Sequence, residues 1–175
     1  MLVSSFNEAV NAQMLRLSML PNVKFYGQSV RYDGAAIFDS LKGVPMEQRV
    51  EMPVVEDFQL GFCIGAALAG VLPVCIFPRM DFMLLCVNQL VNHLDKLPEF
   101  GWRPKLIIRT TVGKKYPLNA GPQHTQNHVR AFRQMLSSVH VTEVNYPEDV
   151  EHAYTHAILC NFPSLIVENP IWSSS

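Results

Sequence analysis

The chain has 175 residues, enough for one domain with a substantial core. Apolar residues make up 49% and charged residues only 17%, so more apolar surface is available than one core needs, and a partner subunit is the simplest thing to cover it. The net charge is −1 with no basic block or stripe, which argues against a nucleic-acid partner.

Ser5-x-x-Glu8 reads as a capping box, and Phe6, Val10, Met14 and Leu17 fall on one face of the helix it opens. The opening MLVSSFNEAV lacks the basic and long apolar stretches of a signal peptide, so none is expected. VKFYG (23–27) is a strand, followed by loop with one helical turn to about residue 48. RVEMPVV (49–55) is extended, with Pro53 near a strand end or edge. An apolar helix over 57–70 leads into a buried strand PVCIF (73–77). Leu60 to Phe77 carries no charge and reaches the lower limit of a membrane span. Three glycines and Pro73 break it, so a buried helix and a buried strand are expected instead.

A second helix is expected over 81–97 with Phe82, Leu85, Leu90, Val91 and Leu94 inward. KLIIRT (105–110) is a strand and 111–124 a polar loop carrying Lys114 and Lys115. A helix over 125–137, a strand HVTEV (140–144), a helix from Pro147 to about Cys160 and a last strand PSLIVEN (163–169) complete the order. Strands that are continuous apolar runs, alternating with helices, predict an α/β fold: one domain over 1–175, a mostly parallel sheet with helices on both faces. Cys63, Cys75, Cys86 and Cys160 lie in apolar segments without a CxxC, as free thiols of a reducing, cytoplasmic compartment do.

In such a sheet ligands lie beyond the carboxyl ends of the strands. That singles out Gly27-Gln28, Glu56-Asp57, Pro78 to Phe82 and the loop 111–124. Neither GxGxxG after the first strand nor GxxxxGK[ST] occurs, so nucleotide cradles of those two kinds are absent, and without G-x-S-x-G a serine hydrolase is not expected. His124/His128 and His152/His156 have helical i,i+4 spacing but lack the glutamate of HExxH, and no metal is expected there. On residue type alone, Glu56 and Asp57 read first as a helix-start device, capping the helix or meeting its dipole.

The run VVEDFQLGFCIGAALAG through LPVCIFPRMDFMLLCVNQLVN resembles the pyrimidine-binding domain of thiamine diphosphate enzymes. It is most similar to the beta subunit of the 2-oxoacid dehydrogenase (pyruvate and branched-chain) decarboxylase component, in the transketolase-like superfamily. The likeness extends from NEAVNAQMLRL and YGQSVRYDGA through KLIIRTTVG and GPQHTQNH to PSLIVENPIW. It implies the same parallel α/β fold. It also implies that Glu56 meets N1′ of the cofactor's aminopyrimidine and exchanges a proton with it, chemistry that needs a carboxylic acid. Phe82 would pack on the pyrimidine ring, and His124, in His124-Thr125-Gln126, would bind the substrate carboxylate or move a proton. Gln28 and Pro78 occupy cofactor-side positions where the family commonly has an acidic residue and a methionine.

The resemblance further implies thiamine diphosphate shared with a separate diphosphate-binding subunit. That subunit would hold Mg²⁺ through a Gly-Asp-Gly motif, which this chain lacks. It implies a dimer of heterodimers, and a second C-terminal domain that is absent here. The expected reaction is decarboxylation of a 2-oxoacid, or acyl or ketol transfer. The alternative is a non-catalytic regulatory or interaction protein that keeps the fold and pairing surface, as Gln28 and Pro78 would allow.

Overall fold

The structure is a computed structural model and describes residues 5–115 and 119–171. Part of the segment read for a signal peptide, and residues 116–118 of the expected polar loop, lie outside the described residues. Helix α1 (Phe6–Ser18) starts at the capping box: the Ser5 hydroxyl accepts the Glu8 N–H at 3.2 Å, and the Glu8 carboxylate accepts the Ser5 N–H at 2.6 Å. Strand β1 (Val23–Gly27), helix α2 (Ala36–Ser40) and strand β2 (Arg49–Glu51) follow. Next come α3 (Glu56–Leu68), β3 (Leu72–Phe77), β4 (Ile107–Thr111), α4 (Val129–Met135), β5 (His140–Val144), α5 (Pro147–Leu159) and β6 (Ser164–Glu168).

The six strands form one sheet in the order β2-β1-β3-β4-β6-β5, and every neighbouring pair is parallel. Alternate strand residues serve opposite faces, because a strand has a two-residue period. Phe25, Val74, Ile76, Ile107 and Ile166 face a layer built by α1, α2 and α5. Tyr26, Cys75, Phe77, Ile108, Leu165 and Val167 face a layer built by α3, the 80–94 segment and α4. Both faces are therefore dry, which is why the strands read as unbroken apolar runs. The uncharged run 60–77 is divided between α3 and β3, with Gly70 at φ 87° making the turn. Among the described residues no helix is long and apolar enough to cross a membrane. All four cysteines are free, and burial pushes the Cys75 and Cys86 thiols up.

The segment expected as one helix over 81–97 is different. Met80–Cys86 is a 3₁₀ helix, Asn88–Leu94 a π-helix and Leu97–Phe100 another 3₁₀ helix. Met80, Met83 and Cys86 are buried at the spacing of three that a 3₁₀ turn brings to one side; Leu90 and Leu94 follow at four. Phe82 is consequently only half-buried and Leu85 is 61% exposed, not inward as a 3.6-residue period predicts. The extended stretch 49–55 pairs only over Arg49–Glu51, and the helix expected over 125–137 is the shorter α4.

Candidate functional site

The site begins where β1 stops. A Cβ on Gly27 would stand 2.7 Å from the Ile76 carbonyl oxygen, so only glycine lets β1 end this close to β3. The chain then turns through Ser29 at φ 60°. Glu51, at the end of β2, fastens that turn: its carboxylate accepts the N–H groups of Ser29 at 2.5 Å, Val30 at 2.9 Å and Arg31 at 3.0 Å. Beneath it, buried Arg49 donates to the carbonyls of Val30, Leu41 and Val44, with its guanidinium 5.0 Å over the Phe38 ring. The strand pattern alone did not mark Glu51 or Arg49. Their signal was a charged residue in each of two register positions facing the loop after β1.

This framework holds Gln28, 9% exposed, with its Nε2 donating to Glu56 Oε1 at 3.1 Å. Glu56 is the first residue of α3 and is 5% exposed. The helix N-cap is Val55, which makes no side-chain cap, and neither Glu56 nor Asp57 takes that position. Asp57 accepts instead from Gln89 Nε2 at 3.2 Å, joining α3 to the π-helical segment. Both carboxylates stand in the first turn, where the helix dipole favours negative charge. Among the described residues Glu56 receives only the hydrogen bond from Gln28, so its second oxygen is unspent.

The segments after β3 and β4 carry the other expected site residues, also at carboxyl ends of strands. Pro78 is half-buried and its carbonyl accepts from Arg79 Nη1 at 2.8 Å. The Phe82 ring meets the His124 ring edge to face, centroids 5.4 Å apart at 90°. His124 is held by close packing of backbone: a Cβ on Gly113 would lie 1.8 Å from the His124 carbonyl oxygen. The loop is stapled to the 80–82 segment, since Gln126 N–H donates to Asp81 Oδ1 at 3.2 Å and His128 N–H to Met80 Sδ at 3.3 Å. The structure thus pairs Gln28 with Glu56 and Phe82 with His124, all at carboxyl ends of strands.

The histidines of the two pairs make contacts of other kinds. His128 Nε2 is buried without a partner, His152 Nδ1 lies 3.1 Å from the Glu148 carbonyl, and His156 stacks on His140 instead, centroids 4.5 Å apart. Among the described residues, no group of three histidine, cysteine or acidic side chains could hold a metal. Behind the site lies a buried network that periodicity did not reveal. Glu168 accepts from Arg109 Nε at 2.7 Å, Arg109 Nη2 at 3.0 Å and Tyr154 OH at 2.9 Å. Burial alone would lower the Arg109 guanidinium's pKa, but the Glu168 carboxylate outweighs it and the net shift is upward. Burial, then Glu168, pushes the Tyr154 hydroxyl well up.

No family model matches the chain. It is 23% identical over 165 residues to the pyruvate dehydrogenase E1 component subunit beta of Mycoplasma pneumoniae, covering 90% of this chain and 49% of that protein. It is 26% identical over 180 residues to the acetoin:2,6-dichlorophenolindophenol oxidoreductase subunit beta of Cupriavidus necator, covering 94% of this chain and 52% of that one. The fold matches a split-gene transketolase solved as an inactive beta4 tetramer, with a TM-score of 0.71, 15% identity, 98% of this chain and 53% of that one covered. The chain spans about half the length of the curated relatives it matches. In sequence it is a homologue of dehydrogenase E1 beta subunits, and its single six-stranded parallel domain has the transketolase-like fold.

Proposed function

We propose that this chain is the pyrimidine-binding half of a split thiamine diphosphate enzyme that acts on a 2-oxoacid or ketose-like substrate. The carrying observation is Glu56: a buried carboxylate at the carboxyl end of the sheet, one oxygen fixed by Gln28 and the other unspent. That donor set fits an aminopyrimidine, because a carboxyl with one free oxygen can share a proton with a ring nitrogen. The relatives' names point the same way.

Bound thiamine diphosphate supplies nucleophilic addition to a carbonyl and the electron sink for the bond that breaks. Glu56 holds and returns a proton through its free oxygen at N1′. Gln28 keeps the other oxygen occupied, so the carboxylate cannot swing away. Phe82 offers an apolar face to the pyrimidine ring. His124, set against Phe82, binds the substrate carboxylate or carries a proton near neutral pH. Pro78, directly after β3, would stand beside the ring. In this reading Mg²⁺ and the diphosphate are held outside these 175 residues, by a diphosphate-binding subunit carrying the Gly-Asp-Gly motif that they lack. The assembly is a dimer of heterodimers in the cytoplasm, where four free thiols persist.

The test is purification of the tagged chain from its own cells under mild conditions, with mass spectrometry of what accompanies it. A stoichiometric partner carrying Gly-Asp-Gly, with thiamine diphosphate in the eluate, is the expected result. A partner without that motif, and no cofactor, would replace this reading with a non-catalytic interaction protein.

A further inference from the structure

The opposite end of the sheet carries a second cavity, of about 440 Å³, that the site above does not use. It opens at the amino ends of β4, β6 and β5. Arg103 precedes β4, Phe162 precedes β6, and His140 is the first residue of β5. Arg133 reaches it from α4, and Ser137 and Ser138 from the turn between α4 and β5.

The lining is cationic in a protein that is slightly acidic overall. Arg103 and Arg133 both face this cavity, no carboxylate lines it, and neither arginine has an ion-pair partner among the described residues. Arg133 makes a single long contact, Nε to the Val141 carbonyl at 3.4 Å. The turn bearing the two serines is fixed from behind: buried Asp95 Oδ1 accepts the Ser137 N–H at 2.8 Å and the Ser138 N–H at 2.6 Å. Lys96 lies 3.4 Å from the other Asp95 oxygen and offsets its charge. The two serine backbones are thereby spent, while both hydroxyls remain for a ligand. Burial, then His156, then Arg133 hold His140 below its ordinary range, so it enters as a neutral imidazole, with one donor and one acceptor. Phe162, 48% exposed, supplies a flat apolar face.

We propose that this cavity binds a small phosphate ester with an aromatic or apolar body, such as a nucleoside monophosphate. Two guanidiniums, each able to donate a bidentate fork, and two hydroxyls match the charge and the three terminal oxygens of a phosphate ester. The volume lies in the small-ligand range. A ligand here would bridge the starts of β4, β5 and β6 and the turn before β5. It sits across the sheet from Glu56, so it does not depend on the function proposed above.

The test is calorimetric titration of the full chain with AMP, with inorganic phosphate as competitor. Arg103→Gln and Arg133→Gln are exposed changes, and their melting curves establish that folding is intact. Saturable one-to-one binding, displaced by phosphate, is expected. Each arginine substitution should weaken it about tenfold or more, as the loss of a charge-assisted hydrogen bond does. Phe162→Ala should weaken AMP and leave phosphate unchanged. Absence of saturable AMP binding, or binding indifferent to both arginine substitutions, would overturn the proposal. So would preference for a phosphorylated peptide, which would make the cavity a protein-docking site.

Discussion

One hydrogen bond, from Gln28 Nε2 to Glu56 Oε1, decides how the site should respond to substitution. In the reconstituted complex Glu56→Gln removes the proposed proton-exchanging group while keeping shape, and turnover should fall roughly 10²–10⁴-fold with assembly unchanged. Steady-state kinetics beside size-exclusion chromatography separates the two effects, and undiminished turnover would leave Glu56 as no more than a first-turn carboxylate. Gln28→Leu should act differently. It strips the partner from a buried carboxylate oxygen, so urea unfolding should register a loss of about 1.5–3 kcal/mol. In a double-mutant cycle with Glu56→Ala the two effects should not add, because both remove the same contact. Pairing of Gln28 with Glu56 was not legible from spacing, since 28 residues separate them and only the sheet order brings the ends of β1 and β2 together.

Elements were legible where one period governed. VKFYG and HVTEV are strands over the residues read from the sequence, and the capping box starts α1 as expected. The 80–100 segment was not, because its apolar residues support three- and four-residue spacings at once and packing chose between them. Phe82 owes its place beside His124 to that choice: on a regular helix it would turn inward and leave the site. The charged residues inside strands carried a signal of another kind. Arg109 and Glu168 lie in apolar runs 59 residues apart, and they become partners only because β4 and β6 are neighbours, with Tyr154 of α5 closing the group. Glu168→Leu should therefore strand a buried guanidinium and cost about 3–5 kcal/mol, measured by denaturant unfolding. The Arg109→Met, Glu168→Leu double variant should recover most of that loss, because no buried charge remains uncompensated.

At the scale of the whole molecule the excess of apolar residues finds a location. Val54 is 76% exposed, Val55 50%, Phe58 51% and Phe62 46%, and Leu84 and Leu85 are 48% and 61% exposed on the segment packed against α3. The rings of Phe58 and Phe62 are 6.0 Å apart on the outer face of α3, and buried Tyr26 supports Phe62 from beneath with its ring 5.4 Å away. It also adjoins Glu56, which places a partner bound on this face where it would complete the site. Burying a phenylalanine side chain contributes about 1.5–3 kcal/mol, so two central rings supply a large share of an association energy. A charge in their midst should be prohibitive, because burial without a counter-ion costs more than the ring contributed. Phe58→Glu with Phe62→Glu should leave the circular dichroism spectrum unchanged, since both side chains are half-exposed in the isolated chain. Analytical ultracentrifugation should then show only monomer, under conditions where the unmodified chain self-associates or joins its partner. Assembly that persists in the double variant would move the pairing surface away from α3.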